Sequence, residues 1–166
     1  MLNTPYNAID VANYIVWRAN KMGKPVTHLK LQKLLYYVVA KYAKDYNYLL
    51  IDEDIVKWQY GPVVKSVYHY FKLYGHSKIT QPVAYLTSTE MFHLGFADVE
   101  GKIQQLESDG LFEQSLEYVF NKLLDKSPFD LVERTHQEPA WRNSETQILQ
   151  GYDLLYSLDE LQSANI

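Results

Sequence analysis

A chain of 166 residues, 47% hydrophobic and 22% charged, has the composition of a folded globular protein with room for one core, not of a disordered or collagenous one. The absence of cysteine excludes a disulfide framework, a thiolate metal site and a cysteine nucleophile. The net charge of −4 hides a division: residues 1–75 hold 10 Lys/Arg against 5 Asp/Glu, net +5, and residues 76–166 hold 6 against 15, net −9, so either a basic face steers a charged partner or the two halves attract each other.

No apolar run reaches the roughly 18 residues that a bilayer span needs. Met1–Asn20 lacks the basic-then-apolar order of a signal peptide, so the expected location is cytoplasmic. Ten of the 15 tyrosines fall between Tyr14 and Tyr74, a concentration that suits tyrosine-rich core packing as well as a protein interface.

In chain order, Asn7 is placed to cap a first helix, with Asp10 as an imperfect capping-box acid. Ile9, Ala12, Ile15, Val16 and Ala19 form its apolar stripe, and Gly23 and Pro25 end it. Thr27 caps the next helix, the strongest in the chain and the expected centre of the fold. Leu31, Leu34, Leu35, Val38 and Tyr42 define its buried face, widened by Leu29, Tyr36, Ala40 and Ala43. Lys30, Lys33, Tyr37, Lys41 and Lys44 form the remaining stripe, in which Lys33 and Tyr37 are expected to face outward.

Tyr48–Ile51, the acidic turn Asp52-Glu53-Asp54 and Ile55–Tyr60 read as a β-hairpin. Gly61 punctuates it, and Pro62 is placed to start a third helix with stripe Val64, Val67, Phe71 and Tyr74, stopped by Gly75. Between 76 and 110 only a short strand at Ile79–Val83 and a helical turn at Thr89–Leu94 suggest themselves. Periodicity returns at Phe112, Leu116, Val119, Phe120 and Leu123. Ser127-Pro128-Phe129-Asp130 is a helix start signal, Pro139 ends that helix, and Ser157 starts a last short one. The expected fold is mainly α: a compact single-domain helical bundle spanning 1–166 with one small β-hairpin.

Three blocks now stand in order: Leu31-Gln32-Lys33-Leu34-Leu35-Tyr36-Tyr37, then Trp58-Gln59-Tyr60-Gly61-Pro62-Val63-Val64-Lys65-Ser66-Val67-Tyr68, then Thr135-His136 with Pro139 and Trp141. Together they resemble the Panacea domain of SocA-like antitoxins, over about residues 9–141, leaving 142–166 as a C-terminal extension. In the third block Ala140 separates the proline from the tryptophan. The resemblance implies a mainly helical, bacterial protein that binds and neutralises a toxin encoded beside it. In the SocA-like branch it further implies a proteolytic adaptor that delivers the toxin to an AAA+ protease. Family members pair with many unrelated toxins and also occur in phage-borne proteins. An additional DNA-binding domain, frequent in the family, has no room in this chain.

The other chemistries fare less well. Gly61–Ser66 lacks the second glycine of a phosphate loop, and Pro62 removes a needed N–H donor. His28, His69, His76, His93 and His136 show no metal-ligand spacing, and no serine lies in a nucleophile elbow. His136 beside Glu138 suits helix capping better than acid–base work. The alternative function is a prophage-associated regulator of helix-turn-helix type, in which the helix after Thr27 reads DNA through Thr27, His28, Lys30 and Lys33. The expectation that emerges is a non-enzymatic binder without cofactor or metal, acting on a toxin with no membrane involvement. Lys33, Tyr37, Lys41, Trp58, Tyr60, Lys65 and Tyr68 are expected at the partner surface. Leu31, Leu34, Leu35, Gly61, Pro62, His136 and Trp141 are expected as structural motif residues.

Overall fold

The computed structural model describes residues 4–88 and 94–166. Asn7 caps α1 (Ala8–Lys21), its side-chain oxygen accepting from the Ile9 N–H at 2.8 Å. Gly23, at φ +71, leads the chain out of that helix. Asp10 completes no capping box; it is buried and accepts from the Tyr85 hydroxyl at 2.5 Å. Thr27 caps α2 (His28–Tyr46) by accepting from the Lys30 N–H at 3.3 Å, and Asn47 ends it in the left-handed conformation.

Then follow β1 (Val56–Trp58), β2 (Gly61–Val63), α3 (Lys65–Phe71), a 3-10 turn at Lys72–Tyr74, β3 (Leu86–Ser88), β4 (Leu94–Phe96), α4 (Val99–Glu107) and α5 (Gly110–Leu123). The chain closes with α6 (Pro128–Gln137), α7 (Pro139–Arg142), α8 (Glu145–Leu149), β5 (Leu154–Leu155) and α9 (Leu158–Gln162). The fold is mainly α, with nine α-helices among the described residues. Ser127 and Ser157 both form complete capping boxes, with Asp130 and Glu160.

The centre is α2, packed by α1, α3, α5, α6, α9 and β2. From Leu31 to Ala40 no residue is more than 2% exposed. Leu31, Leu34 and Leu35 lie in the core as expected, but so do Lys33 and Tyr37, and this corrects their outward placement. Enclosure by neighbours on every side overrides the preference of a polar side chain for water. The same enclosure buries Lys33, one of the four residues through which the DNA-reading alternative would work, whereas Thr27, His28 and Lys30 are half-buried.

The hairpin also differs from the sequence reading. β1 pairs antiparallel with β2, Val56 opposite Val63 and Trp58 opposite Gly61, so the turn falls at Gln59-Tyr60 and not at Asp52–Asp54. Ile51 makes only an isolated parallel bridge to Tyr6. Pro62 belongs to β2 and does not start a helix; β2 is an edge strand, in order β2-β1-β5, where the missing N–H is tolerated. The third strand, β5, arrives from far along the chain.

Between 76 and 110 the expected strand at Ile79–Val83 is replaced by separate contacts. The Ile79 N–H donates to the Val26 carbonyl at 2.8 Å, and the Asn13 amide bonds both the N–H and the carbonyl of Val83. A second hairpin, β3–β4, and helix α4 lie in this stretch unforeseen. The expected turn at Thr89–His93 lies outside the described residues, and Leu94 begins β4.

The charge division is resolved in favour of mutual attraction. Arg18–Glu113, Lys21–Glu107, Lys24–Asp125, Lys57–Glu160 and Lys65–Asp153 all join the basic half to the acidic one; among the described ion pairs only Lys41–Asp45 is local. No helix among the described residues is long and apolar enough to cross a membrane.

Truncating Leu34 or Leu35 to alanine is expected to cost about 2–5 kcal/mol of unfolding free energy. Urea titration measures it, and a loss well under 1 kcal/mol would mean that α2 is less tightly enclosed than described.

Candidate functional site

The three sequence blocks, up to 110 residues apart, converge on the β1–β2 turn. From α2, the Gln32 amide accepts from the Val64 N–H at 2.9 Å and donates to the Val64 carbonyl at 3.1 Å, taking the place of a neighbouring strand. One helical position on, the Lys33 ammonium donates to the Pro62 carbonyl at 2.9 Å. From α6, His136 Nε2 donates to the Gln59 carbonyl at 2.9 Å. From α7, Trp141 Nε1 donates to the Trp58 carbonyl at 2.9 Å. The His136 and Trp141 rings stack with centroids 3.7 Å apart. Gly61 sits at φ +92, where a Cβ would lie 2.5 Å from Thr135 Oγ1 and 3.0 Å from Lys33 Cε.

Side chains from α2, α6 and α7 therefore take up the carbonyls on both limbs of the turn. His136, Trp141, Gly61 and Pro62 all meet at this turn, Pro62 in a strand instead of a helix. Sequence reasoning assigned no role to Gln32 or Thr135, although both lie in the blocks. Glu138, weighed in the sequence only as a neighbour of His136, is a buried carboxylate that accepts from the Tyr36 hydroxyl at 2.9 Å and the Asn165 N–H at 2.6 Å. Burial holds its carboxyl above the usual range.

What the clamp presents outward is aromatic. Tyr60 at the turn is 57% exposed, and Tyr68 on α3 is 38% exposed. Trp58 is half-buried between them, edge-to-face with Tyr68 at 5.1 Å, and its Nε1 donates to Asp153 at 3.1 Å. Lys65 pairs with the same Asp153 at 2.5 Å. Trp58, Tyr60 and Tyr68 line a cavity of about 370 Å³ together with His28, Leu29, Gln32 and Lys33 from α2 and Ile148, Tyr152 and Asp153. A second hollow of about 300 Å³ adjoins it and shares His28, Leu29, Tyr60 and Tyr68. The 148–153 segment carries no sequence signal that would have placed it here.

Of the residues expected at a partner surface, Trp58, Tyr60, Lys65 and Tyr68 are brought together. Lys41 is not: it pairs with Asp45 at 2.7 Å and lies over the Tyr118 ring, 4.3 Å from its centroid. Lys33 and Tyr37 lie beneath the surface. Burial pushes the Tyr37 phenol upward and the Lys33 ammonium down to about 7. Among the described residues no group of three His, Asp or Glu is placed to hold a metal ion.

The family described as "Antitoxin SocA-like, Panacea domain" matches residues 31–142. Antitoxin SocA of Caulobacter vibrioides (strain NA1000 / CB15N) is 34% identical over 69 residues, which cover 42% of this chain and 37% of that protein. The match thus spans little more than a third of that relative's length. No solved structure matches.

Two outcomes test the clamp. Gly61→Ala introduces a Cβ against Thr135 at an unfavourable φ and is expected to cost about 1–3 kcal/mol of unfolding free energy; a neutral effect would contradict the close approach. Lys33, with an ordinary value of 10.5, stays protonated to high pH when unfolded but only to about 7 when folded. Between those values the unfolded chain binds more protons, so stability rises with pH, by at most about 1.4 kcal/mol per unit. Below pH 7 the penalty is constant. Urea unfolding at pH 7, 8 and 9 should show this rise in the native chain and its loss in Lys33→Met; equal slopes would assign the pH dependence to other groups.

Proposed function

Because the chain belongs to the antitoxin SocA-like, Panacea-domain family, we propose that it is a binding protein that captures and neutralises a cognate toxin by direct protein–protein contact. The observation that carries this reading is the aromatic rim of Trp58, Tyr60 and Tyr68, held on a turn whose carbonyls are tied down from behind. Large aromatic side chains on a rigid support lose little conformational entropy on binding, and tyrosine and tryptophan are the residue types that most often dominate protein interfaces. Gln32, Lys33, His136 and Trp141 are engaged with the main chain, which supports a scaffold for recognition. Lys65, with Asp153 beside it, sits at the rim, where charge affects approach more than final affinity. Lys33 contributes from below by tying down the Pro62 carbonyl.

Affinity capture of the tagged chain from its native cells tests the reading. The expected result is one stoichiometric protein that is toxic when expressed alone and harmless together with this chain. Capture without such a protein would overturn the antitoxin function. The toxin's half-life in cells then distinguishes two modes: delivery to an AAA+ protease shortens it, and sequestration alone leaves it unchanged.

Tyr60→Ala and Tyr68→Ala are expected to weaken toxin binding by about tenfold or more, about 1.4 kcal/mol each, while the unfolding midpoint stays close to that of the native chain. Titration calorimetry beside urea unfolding measures both quantities. Unchanged affinity in both variants would move the interface elsewhere on the surface.

A further inference from the structure

The cavity beneath the aromatic rim has the volume of a small-molecule site, about 370 Å³. Its walls are apolar and largely aromatic, formed by Trp58, Tyr60, Val63, Tyr68, Ile148 and Tyr152. Its electrostatics are one-sided. Two charged lining residues are already neutralised: Lys57 pairs with Glu160 at 2.6 Å and Asp153 with Lys65 at 2.5 Å. Lys33 is not. Among the described residues it has no carboxylate partner, is wholly buried, and makes one hydrogen bond, to a neutral carbonyl, out of three possible.

One further feature of the floor has the same sign. His28 and Leu29 open the 19-residue α2, so their N–H groups have no intrahelical acceptor and mark its positive end. The half-buried His28 ring faces the Phe71 carbonyl, and burial holds its pKa below the ordinary value, so it adds a neutral polar group and no positive charge. An apolar hollow whose unmatched polar groups are a cation, potential donors and a helix N-terminus is complementary to an apolar body bearing one negative charge. Below about pH 7, where Lys33 is protonated, a neutral or cationic ligand would leave its ammonium without a counter-charge.

We propose that this cavity is a binding site for a small aromatic monocarboxylate, its ring against Trp58 and Tyr68 and its carboxylate toward the His28–Lys33 floor. Ring stacking on the T-shaped Trp58–Tyr68 pair supplies the apolar contact, and the carboxylate supplies the counter-charge that the fold itself does not. Binding of this ligand needs no toxin. Tyr60 and Tyr68 belong both to the mouth of the cavity and to the proposed toxin surface, but each can be assayed with the other partner absent.

The test titrates the full chain with 4-phenylbutyrate, with 4-phenylbutan-1-ol as the uncharged analogue, followed by amide chemical shifts. The carboxylate is expected to bind saturably and about tenfold more tightly than the alcohol. The shifts should concentrate at His28, Leu29, Trp58, Tyr60 and Tyr68. Lys33→Met should bring acid and alcohol to similar affinity. Since Lys33 also supports the turn, His28→Phe serves as a second variant that keeps an aromatic ring there, and it should narrow the same preference. Equal affinity for acid and alcohol in the native chain, shifts centred elsewhere, or no saturation up to the solubility of the probe would each overturn the proposal.

Discussion

A helix enclosed on all sides leaves its polar side chains no route to water, and each must then find a partner inside the protein. That constraint acts on α2 and shapes what surrounds it. Gln32 takes both main-chain groups of Val64, Lys33 takes the Pro62 carbonyl, and Tyr36 takes the buried Glu138 carboxylate. The position of the small sheet, the entry into α3 and the packing of α6 against α2 all follow from satisfying three polar side chains within little more than one turn of one helix. Lys33 is the costliest of these groups, since its single neutral acceptor only partly offsets the loss of hydration.

The sequence signals that were legible are local ones. Asn7, Thr27, Ser127 and Ser157 cap the helices they were expected to cap, because a capping residue acts on N–H groups two or three positions away. The hairpin was misplaced because Asp52-Glu53-Asp54 has turn chemistry of its own, while the true turn is fixed by side chains reaching in from Lys33, His136 and Trp141. Helix α4 had a stripe of Val99, Ile103 and Leu106 behind the cap Asp98, but Gly101 weakens its propensity and the stripe is short. Lys33 and Tyr37 were misread for the opposite reason: periodicity describes one helix and cannot count its neighbours. At the site, Trp58, Tyr60 and Tyr68 were visible in the blocks; His28 and the 148–153 segment join them only through tertiary packing.

The convergence of the three blocks separates two roles that a motif confounds. Gln32, Lys33, Gly61, Thr135, His136 and Trp141 support the turn from within. Tyr60 and Tyr68 are the block aromatics exposed at the rim. A scaffold kept by its internal hydrogen bonds and read through a few surface side chains is physically suited to a family defined by binding. The family match ends at residue 142, yet β5 and α9 lie beyond it and complete the sheet and the enclosure of α2. The features that bury the Leu31–Ala40 stretch of α2 are therefore not all contained in the shared region.

The pairing of β1 with β5 has a consequence for synthesis. Val56 meets Leu155 and Lys57 meets Leu154 across nearly a hundred intervening residues, and α9 covers α2 from just beyond them. On the ribosome, α1 and α2 emerge long before either of these partners exists. Until residues 154–162 leave the exit tunnel, one flank of a helix that is buried from Leu31 to Ala40 in the finished fold stays open to solvent. The nascent chain thus passes through a long interval in which its stickiest surface is uncovered, and its yield in the cell depends on how that interval is chaperoned as well as on the stability of the finished fold.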